Sequence, residues 1–348
     1  MIKKIIRNLA VRQLVKSKHV QKDFNFFFNL FYKIIIQIIL DLDFPIQINI
    51  ETTRACNLDC PFCARLEVGE GSSCEFKMAQ NIIDEATNKG KTTLFALHMW
   101  GEPMLNPELT KIIRYIKGQK IFHGASLTTN GILLDKKKIY DLLNSKIDQI
   151  IISLHTFDEI EYKNRVGKNI DLNLVLTRIK NLLSERKKRK STTQIIIRIF
   201  ETSERIRNYQ YKIDEFEKLG AIIENDEYDN SAGDRKIWSQ KSSKKVSMHQ
   251  PIEKQENKRW PCYHPWLTLT VNYKGLATIC CVDSKMDMML GNSGELPISS
   301  MWKSPEILEM RKSHLKNDFD NICKICDGCD TWKSKPNFFF DSQLIKNK

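Results

Sequence analysis

After Pro45 the chain alternates: Ile46, Ile48 and Ile50 are apolar, while Gln47, Asn49 and Glu51 are polar. That is the period-two pattern of a strand with one wet face. From there short apolar runs alternate with helical patterns. Further strands are predicted over Thr92–Met99, His123–Thr129, Gln149–Leu154, Thr193–Phe200 and Ala221–Glu224, with helices between them, for example over Asn106–Lys117, Lys136–Leu143, Leu172–Arg186 and Tyr211–Leu219. Six such βα repeats imply an α/β fold, a parallel sheet with helices outside, curved into a partial (β/α)6 barrel over 46–225. Chemistry in such sheets gathers at the carboxyl ends of the strands.

Residues 1–45 precede this pattern. Met1–Lys22 is basic and Phe24–Leu40 is almost wholly apolar, with Asn25, Asn29, Lys33 and Gln37 recurring every four residues. Such spacing puts a narrow polar stripe on an apolar helix, too interrupted for a membrane span. No small-residue cleavage site follows, so a signal peptide is not expected. Two readings stay open: residues 1–40 lie on an anionic membrane surface as a peripheral contact, or the helix packs on the catalytic domain or a partner subunit. From Asp226 the pattern dissolves into polar residues with Gly233 and Ser242-Ser243, read as a linker over 226–259. Order returns at Trp260, and 260–348 reads as a small appended domain of short strands and turns.

At 348 residues and 41% hydrophobic, the chain can bury a large core plus a smaller one, which excludes a disordered or fibrous protein. Ten cysteines in two tight groups favour metal or cluster ligation in a reducing cytoplasm over disulfides. The net charge of +13 permits an acidic partner. The runs Lys187-Lys188-Arg189-Lys190 and Lys244-Lys245 read as solvated, and no stacking aromatics interleave with them, so nucleic acid is not expected.

The string Cys56-Asn-Leu-Asp-Cys60-Pro-Phe-Cys63 places three thiols just past the first predicted strand. Three soft ligands at that spacing wrap a compact cluster and leave one iron open, whereas a structural zinc site needs a fourth ligand. CxxxCxxC with Phe62 before its last Cys resembles the signature of the radical S-adenosylmethionine (SAM) superfamily. The resemblance implies a TIM-like partial barrel and a [4Fe–4S] cluster on Cys56, Cys60 and Cys63, whose open iron takes the methionine portion of SAM. It also implies reductive cleavage to a 5′-deoxyadenosyl radical. Gly101-Glu102-Pro103 is similar to the family motif that meets the cofactor amino group, and a carboxylate suits an ammonium. Ser126, Thr128, Asn130 and Gly131 resemble the segment near the cofactor carboxylate, and Ser153 the ribose contact. Tyr162, Arg165 and Gly167 fit a recurrent pattern after that strand, with Arg165 among the expected cofactor contacts.

Cys262, twelve residues, Gly275, Cys280, then Cys323, Cys326 and Cys329 resembles the auxiliary-cluster domain called SPASM, or its shortened form, twitch. The implied ligands of one auxiliary [4Fe–4S] cluster are Cys262, Cys280, Cys326 and Cys329, with Cys323 as a substitute; structural zinc is the alternative. Four thiolates close such a cluster, which suits electron transfer.

The family mechanism takes an electron from a reductant such as flavodoxin or ferredoxin and removes hydrogen from a substrate C–H bond. Dehydrogenation or epimerisation of a sugar-like, cyclitol-like or envelope-linked small molecule is the first expectation, since too few residues precede the first strand for the leader-recognition domain of peptide maturases. A peptide- or protein-modifying maturase is the second, and an iron–sulfur electron carrier the alternative of another class. His155, Arg198 and Glu201 stand near strand ends as acid–base candidates, and Cys281 and Cys74 as hydrogen-atom donors.

Overall fold

The computed structural model describes residues 43–121, 123–202, 204–225, 262, 264–316 and 318. The N-terminal helix, the segment read as a linker, and Cys323, Cys326 and Cys329 lie outside the described residues.

The chain runs β1 (Gln47–Ile50), α1 (Arg65–Val68), α2 (Phe76–Lys89), β2 (Leu94–Ala96), α3 (Leu109–Lys117), β3 (Gly124–Thr129), α4 (Lys136–Asn144), β4 (Gln149–His155), α5 (Glu159–Val166), α6 (Leu172–Lys188), β5 (Gln194–Ile199), α7 (Gln210–Lys218) and β6 (Ile222–Asn225). It continues through α8 (His264–Leu267), β7 (Thr268–Val271), β8 (Leu276–Thr278), β9 (Met289–Asn292), α9 (Ile298–Met301) and α10 (Pro305–Lys316). Asp135, Asp158 and Asp171 start α4, α5 and α6, each carboxylate accepting a backbone N–H from the first turn.

One open sheet in the order β6-β5-β4-β3-β2-β1-β7-β8-β9 carries the fold, β1 to β6 being mutually parallel. This is a partial barrel. β7 pairs parallel with β1, so the C-terminal hairpin extends the same sheet. Register separates the faces. Ile48, Phe95 and Ala125 stand side by side, as do Leu127, Ile150 and Ile195, and this phase joins the helices in the apolar core. The opposite phase aligns Asn49, Ala96, Ser126, Gln149 and Gln194, and further along Ser153, Arg198 and Glu224. The unhelical face of the sheet is therefore polar.

The strand expected over Thr92–Met99 is shorter, because after Leu97 donates to the Ser126 carbonyl (2.8 Å) the chain turns and Glu102 N–H reaches the Ala55 carbonyl (2.8 Å). Cys74 lies buried in the helix-side core, its sulfur accepting from Asn106 Nδ2 at 3.7 Å. Burial pushes its thiol up to about 12. That placement removes it from the polar face where a hydrogen donor would work.

Candidate cofactor and cluster site

β1 delivers the chain into the cysteine loop through a buried ion pair. Arg54 donates Nε to Glu51 Oε1 and Nη2 to Oε2, both at 2.9 Å, and Tyr273 N–H adds a bond to Oε2 at 3.2 Å. The guanidinium lies 5.2 Å from the Trp100 ring centroid and 5.1 Å from that of Tyr273. Burial raises the Glu51 carboxyl above its ordinary range, opposed by the Arg54 hydrogen bonds and charge.

The backbone between Cys56 and Cys63 is held from several sides. Lys168 Nζ donates to the Asn57 carbonyl (3.0 Å), Asn130 Nδ2 to Asn57 Oδ1 (2.8 Å), and Arg65 to the Leu58 carbonyl and to Asp59 Oδ1 (3.0 Å). Asp59 N–H bonds to the Val166 carbonyl at 3.2 Å. This brings the end of α5 so close that a Cβ on Gly167, at φ +68°, would land on the Asp59 carbonyl oxygen. Gly101 is pressed in the same way against the Thr53 carbonyl.

Cys56, Cys60 and Cys63 are partly exposed. Burial pushes the Cys60 thiol up to about 12, and the charges of Cys63 and Cys56 push in the same direction. Metal must displace protons there. Among the described residues no three His, Cys, Asp or Glu side chains converge on one ion position; thiolates on a four-iron cluster each bind a different iron and stand further apart. The donor set fits the cluster better than it fits zinc.

Glu102 caps a short 3-10 turn over Pro103–Leu105, with Pro103 at its first position. Its buried carboxylate accepts from Met104 N (3.0 Å), Thr129 Oγ1 (2.7 Å) and Asn130 N (2.8 Å). Burial raises this carboxyl, and it forms no ion pair among the described residues. A carboxylate has about four lone-pair directions, so one direction and the charge remain for an arriving cation. The motif ties β3 to the cysteine loop as well as offering that charge.

On β3 the hydroxyls of Ser126 and Thr128 are buried without a hydrogen-bond partner among the described residues, as are Gln47 Oε1, Thr268 Oγ1 and His98 Nδ1. His98, two residues past β2, was not singled out by the sequence; burial and the Arg198 charge lower it to about 4. It stands in the inward phase, two residues beyond Ala96, which the register with Ser126 places on the polar face. Ser153 and Arg198 stand side by side, and Arg198 binds Glu224 on β6 at 2.8 Å. His155 ends β4 at φ +68°, past an irregularity in the β4–β5 ladder. Its ring stacks on Phe200 (centroids 5.5 Å apart) and meets Phe62 of the cysteine loop edge-on (5.3 Å). Burial, then the Arg165 charge, lowers it to about 3. Arg165 donates to the carbonyls of His155 (2.7 Å) and Phe200 (3.0 Å) and pairs with Glu161 (2.9 Å), clamping the ends of β4 and β5. Glu201 belongs to the same charge cluster, 3.4 Å from Arg205 and 3.8 Å from Arg165.

In the second group, Cys262 precedes α8 and Cys280 lies just past β8, so both sit at the open end of the β7–β8 hairpin. The neighbouring Cys281 thiol, and then burial, lift the Cys280 thiol above its ordinary value. Asp283, fully buried, orders the following loop by accepting from Thr278 Oγ1 (2.7 Å), Asp287 N (2.9 Å) and Met288 N (3.0 Å).

The family model described as the Radical SAM superfamily matches residues 50–209, the stretch that contains the cysteine loop, the Glu102 turn and the ends of β3 and β4. The chain carries a radical SAM domain. An iron–sulfur cluster-binding SPASM domain model matches residues 262–330. That domain brings SAM and a [4Fe–4S] cluster as cofactors, and the second match brings auxiliary iron–sulfur. A probable GTP 3′,8-cyclase of Methanococcus maripaludis is 34% identical over 129 residues, 35% of this chain and 41% of that protein. A PqqA peptide cyclase of Granulibacter bethesdensis is 29% identical over 126 residues, 35% of this chain and 32% of that one. The chain thus spans about two-fifths or less of these relatives. The crystal structure of BtrN in complex with AdoMet and 2-DOIA has the same fold, with TM-score 0.55 at 16% identity over 82% of this chain and 93% of BtrN. No helix among the described residues is long and apolar enough to cross a membrane.

Proposed function

We propose that this radical SAM enzyme oxidises or epimerises a sugar- or cyclitol-like small molecule held on the polar face of the sheet, with Cys56, Cys60 and Cys63 holding the first cluster. When bound, the cluster and SAM supply a one-electron reductive cleavage whose carbon-centred radical removes hydrogen from the substrate. Glu102 receives the cofactor ammonium, and Ser126 and Thr128 offer their unpartnered hydroxyls to its polar groups. Cys262 and Cys280, with Cys326 and Cys329, are proposed to hold one auxiliary cluster.

The observation that carries the substrate class is the polar character of the sheet's inner face toward the strand C-terminal ends, where His98 Nδ1 is buried without a partner among the described residues and feels the charge of Arg198 from the Arg198–Glu224 pair. An unmade buried hydrogen bond costs about 1–3 kcal/mol, and a polyhydroxylated ring supplies donors and acceptors for such groups. Burial keeps His98 neutral, able to donate or accept at the substrate. A peptide reading is favoured by the PqqA peptide cyclase likeness.

Sugars and cyclitols carrying ring deuterium, incubated with reduced enzyme and SAM, are expected to pass label into 5′-deoxyadenosine. Label arriving only from deuterated peptides would replace this reading with the peptide one.

A further inference from the structure

α9 begins without a cap of its own. Pro297 stands at its N-cap position and has no side-chain oxygen, so the first backbone N–H groups of the helix lack a local acceptor. Glu85 on α2 supplies one from more than two hundred positions earlier in the chain. Its carboxylate accepts Ile298 N–H on Oε2 (2.7 Å), and Ser299 N–H (2.9 Å) and the Ser299 hydroxyl (2.8 Å) on Oε1. Glu85 lies near the C-terminal end of α2, where the helix dipole gives a carboxylate no benefit, so its place is explained by α9 rather than by its own helix. Met78, two turns earlier on the same face of α2, has its sulfur against Gly275 in the β7–β8 turn.

The parts of the C-terminal unit depend differently on that contact. β7 is fixed to β1 by its ladder, and Cys262 stands just before the α8 that leads into it. α9 and α10 follow the edge strand β9 and have no ladder. α10 nonetheless grips the Cys262 segment: Cys262 N–H donates to His314 Nδ1 (3.3 Å), and Arg311 Nε donates to the Pro265 carbonyl (2.8 Å). The Arg311 guanidinium also lies 4.5 Å from the ring centroid of Trp302, at the end of α9. Cys326 and Cys329 follow α10 in the sequence.

We infer that Glu85 is a latch that docks α9 and α10 on the barrel and so holds together the two halves of the auxiliary ligand set, Cys262 with Cys280 and Cys326 with Cys329. Glu85 is a positioning residue that acts through α9. The inference rests on the proposed auxiliary ligands, not on the substrate.

The test compares the reconstituted full chain with Glu85→Ala, and with Glu85→Ala carrying Pro297→Ser, which gives α9 a local cap. Alanine keeps α2 helical. Hydrogen exchange and the rate at which a chelator removes iron are measured on each. In Glu85→Ala, residues 298–316 are expected to exchange about tenfold faster, the effect of one charged hydrogen bond, with residues 124–155 unchanged. About four irons are expected to leave about tenfold faster than from the parent, while the cluster whose EPR signal changes when SAM is added stays. The local cap is expected to leave both defects in place. Iron retention like the parent's in Glu85→Ala, or full rescue by Pro297→Ser, would overturn the latch. A parent with about four irons per chain would instead remove the auxiliary-cluster reading, and exchange then decides alone. Fast exchange in 305–316 that Pro297→Ser does not correct supports the latch, and exchange like the parent's overturns it.

Discussion

Gly167→Ala is expected to strip the first cluster from an otherwise folded chain, lowering iron by about four atoms per chain. Two costs act together. A left-handed alanine costs roughly 1–2 kcal/mol, and its Cβ would strike the Asp59 carbonyl, backbone that carries the loop from Cys56 to Cys60. The loop must move, and the Asp59 N–H bond to Val166 goes with it. Gly101→Ala makes the same test from the other side, since its Cβ would meet the Thr53 carbonyl. Gly69→Ala separates strain from collision: it too has positive φ (+78°), but nothing lies within 4 Å of its Cβ. Iron analysis with circular dichroism on the three variants is expected to find iron retained in Gly69→Ala and lost in the other two, all three keeping their secondary structure.

Arg54→Met is expected to destabilise the protein by about 3–5 kcal/mol, the usual result of removing one member of a buried pair. Glu51 is wholly buried, and in the variant its remaining donor among the described contacts is Tyr273 N–H. Its folded carboxyl is already raised by burial, and loss of Arg54 raises it further. A carboxyl raised on folding loses stability as pH climbs from its unfolded value through the folded one, because the native state must then bury the charge. The deficit relative to the parent is therefore largest at neutral pH and shrinks as pH falls through the raised value. Urea unfolding of both proteins across that range measures it; a deficit independent of pH would place the cost in lost packing against Trp100 and Tyr273 instead.

The alternation of Ile46 to Glu51 and the apolar runs after it made the parallel sheet readable, because period two survives in strands whose outer face packs on helices. The sequence predicts a longer β2 because Leu97 and Met99 extend the apolar pattern, while hydrogen bonding between Glu102 and Ala55 bends the chain away. The cysteine triplet was legible from spacing alone. The clamps on its loop were not, since Arg65, Lys168 and Gly167 act through backbone carbonyls, and a carbonyl leaves no mark in the sequence. His98 was passed over because its inward phase is visible only once the register with Ser126 fixes which face is polar. Joining β7 to β1 in one sheet required pairing across more than two hundred positions, information that local pattern does not hold.

The Cys56, Cys60, Cys63 loop is expected to support reductive cleavage of SAM. Anaerobic incubation of reconstituted, reduced protein with SAM and candidate substrates measures this as 5′-deoxyadenosine. 5′-Deoxyadenosine is expected from the parent protein and none from a Cys60→Ala variant that keeps its C-terminal iron. Formation at the parent's rate by that variant, or no 5′-deoxyadenosine from parent protein carrying its full iron, would contradict it.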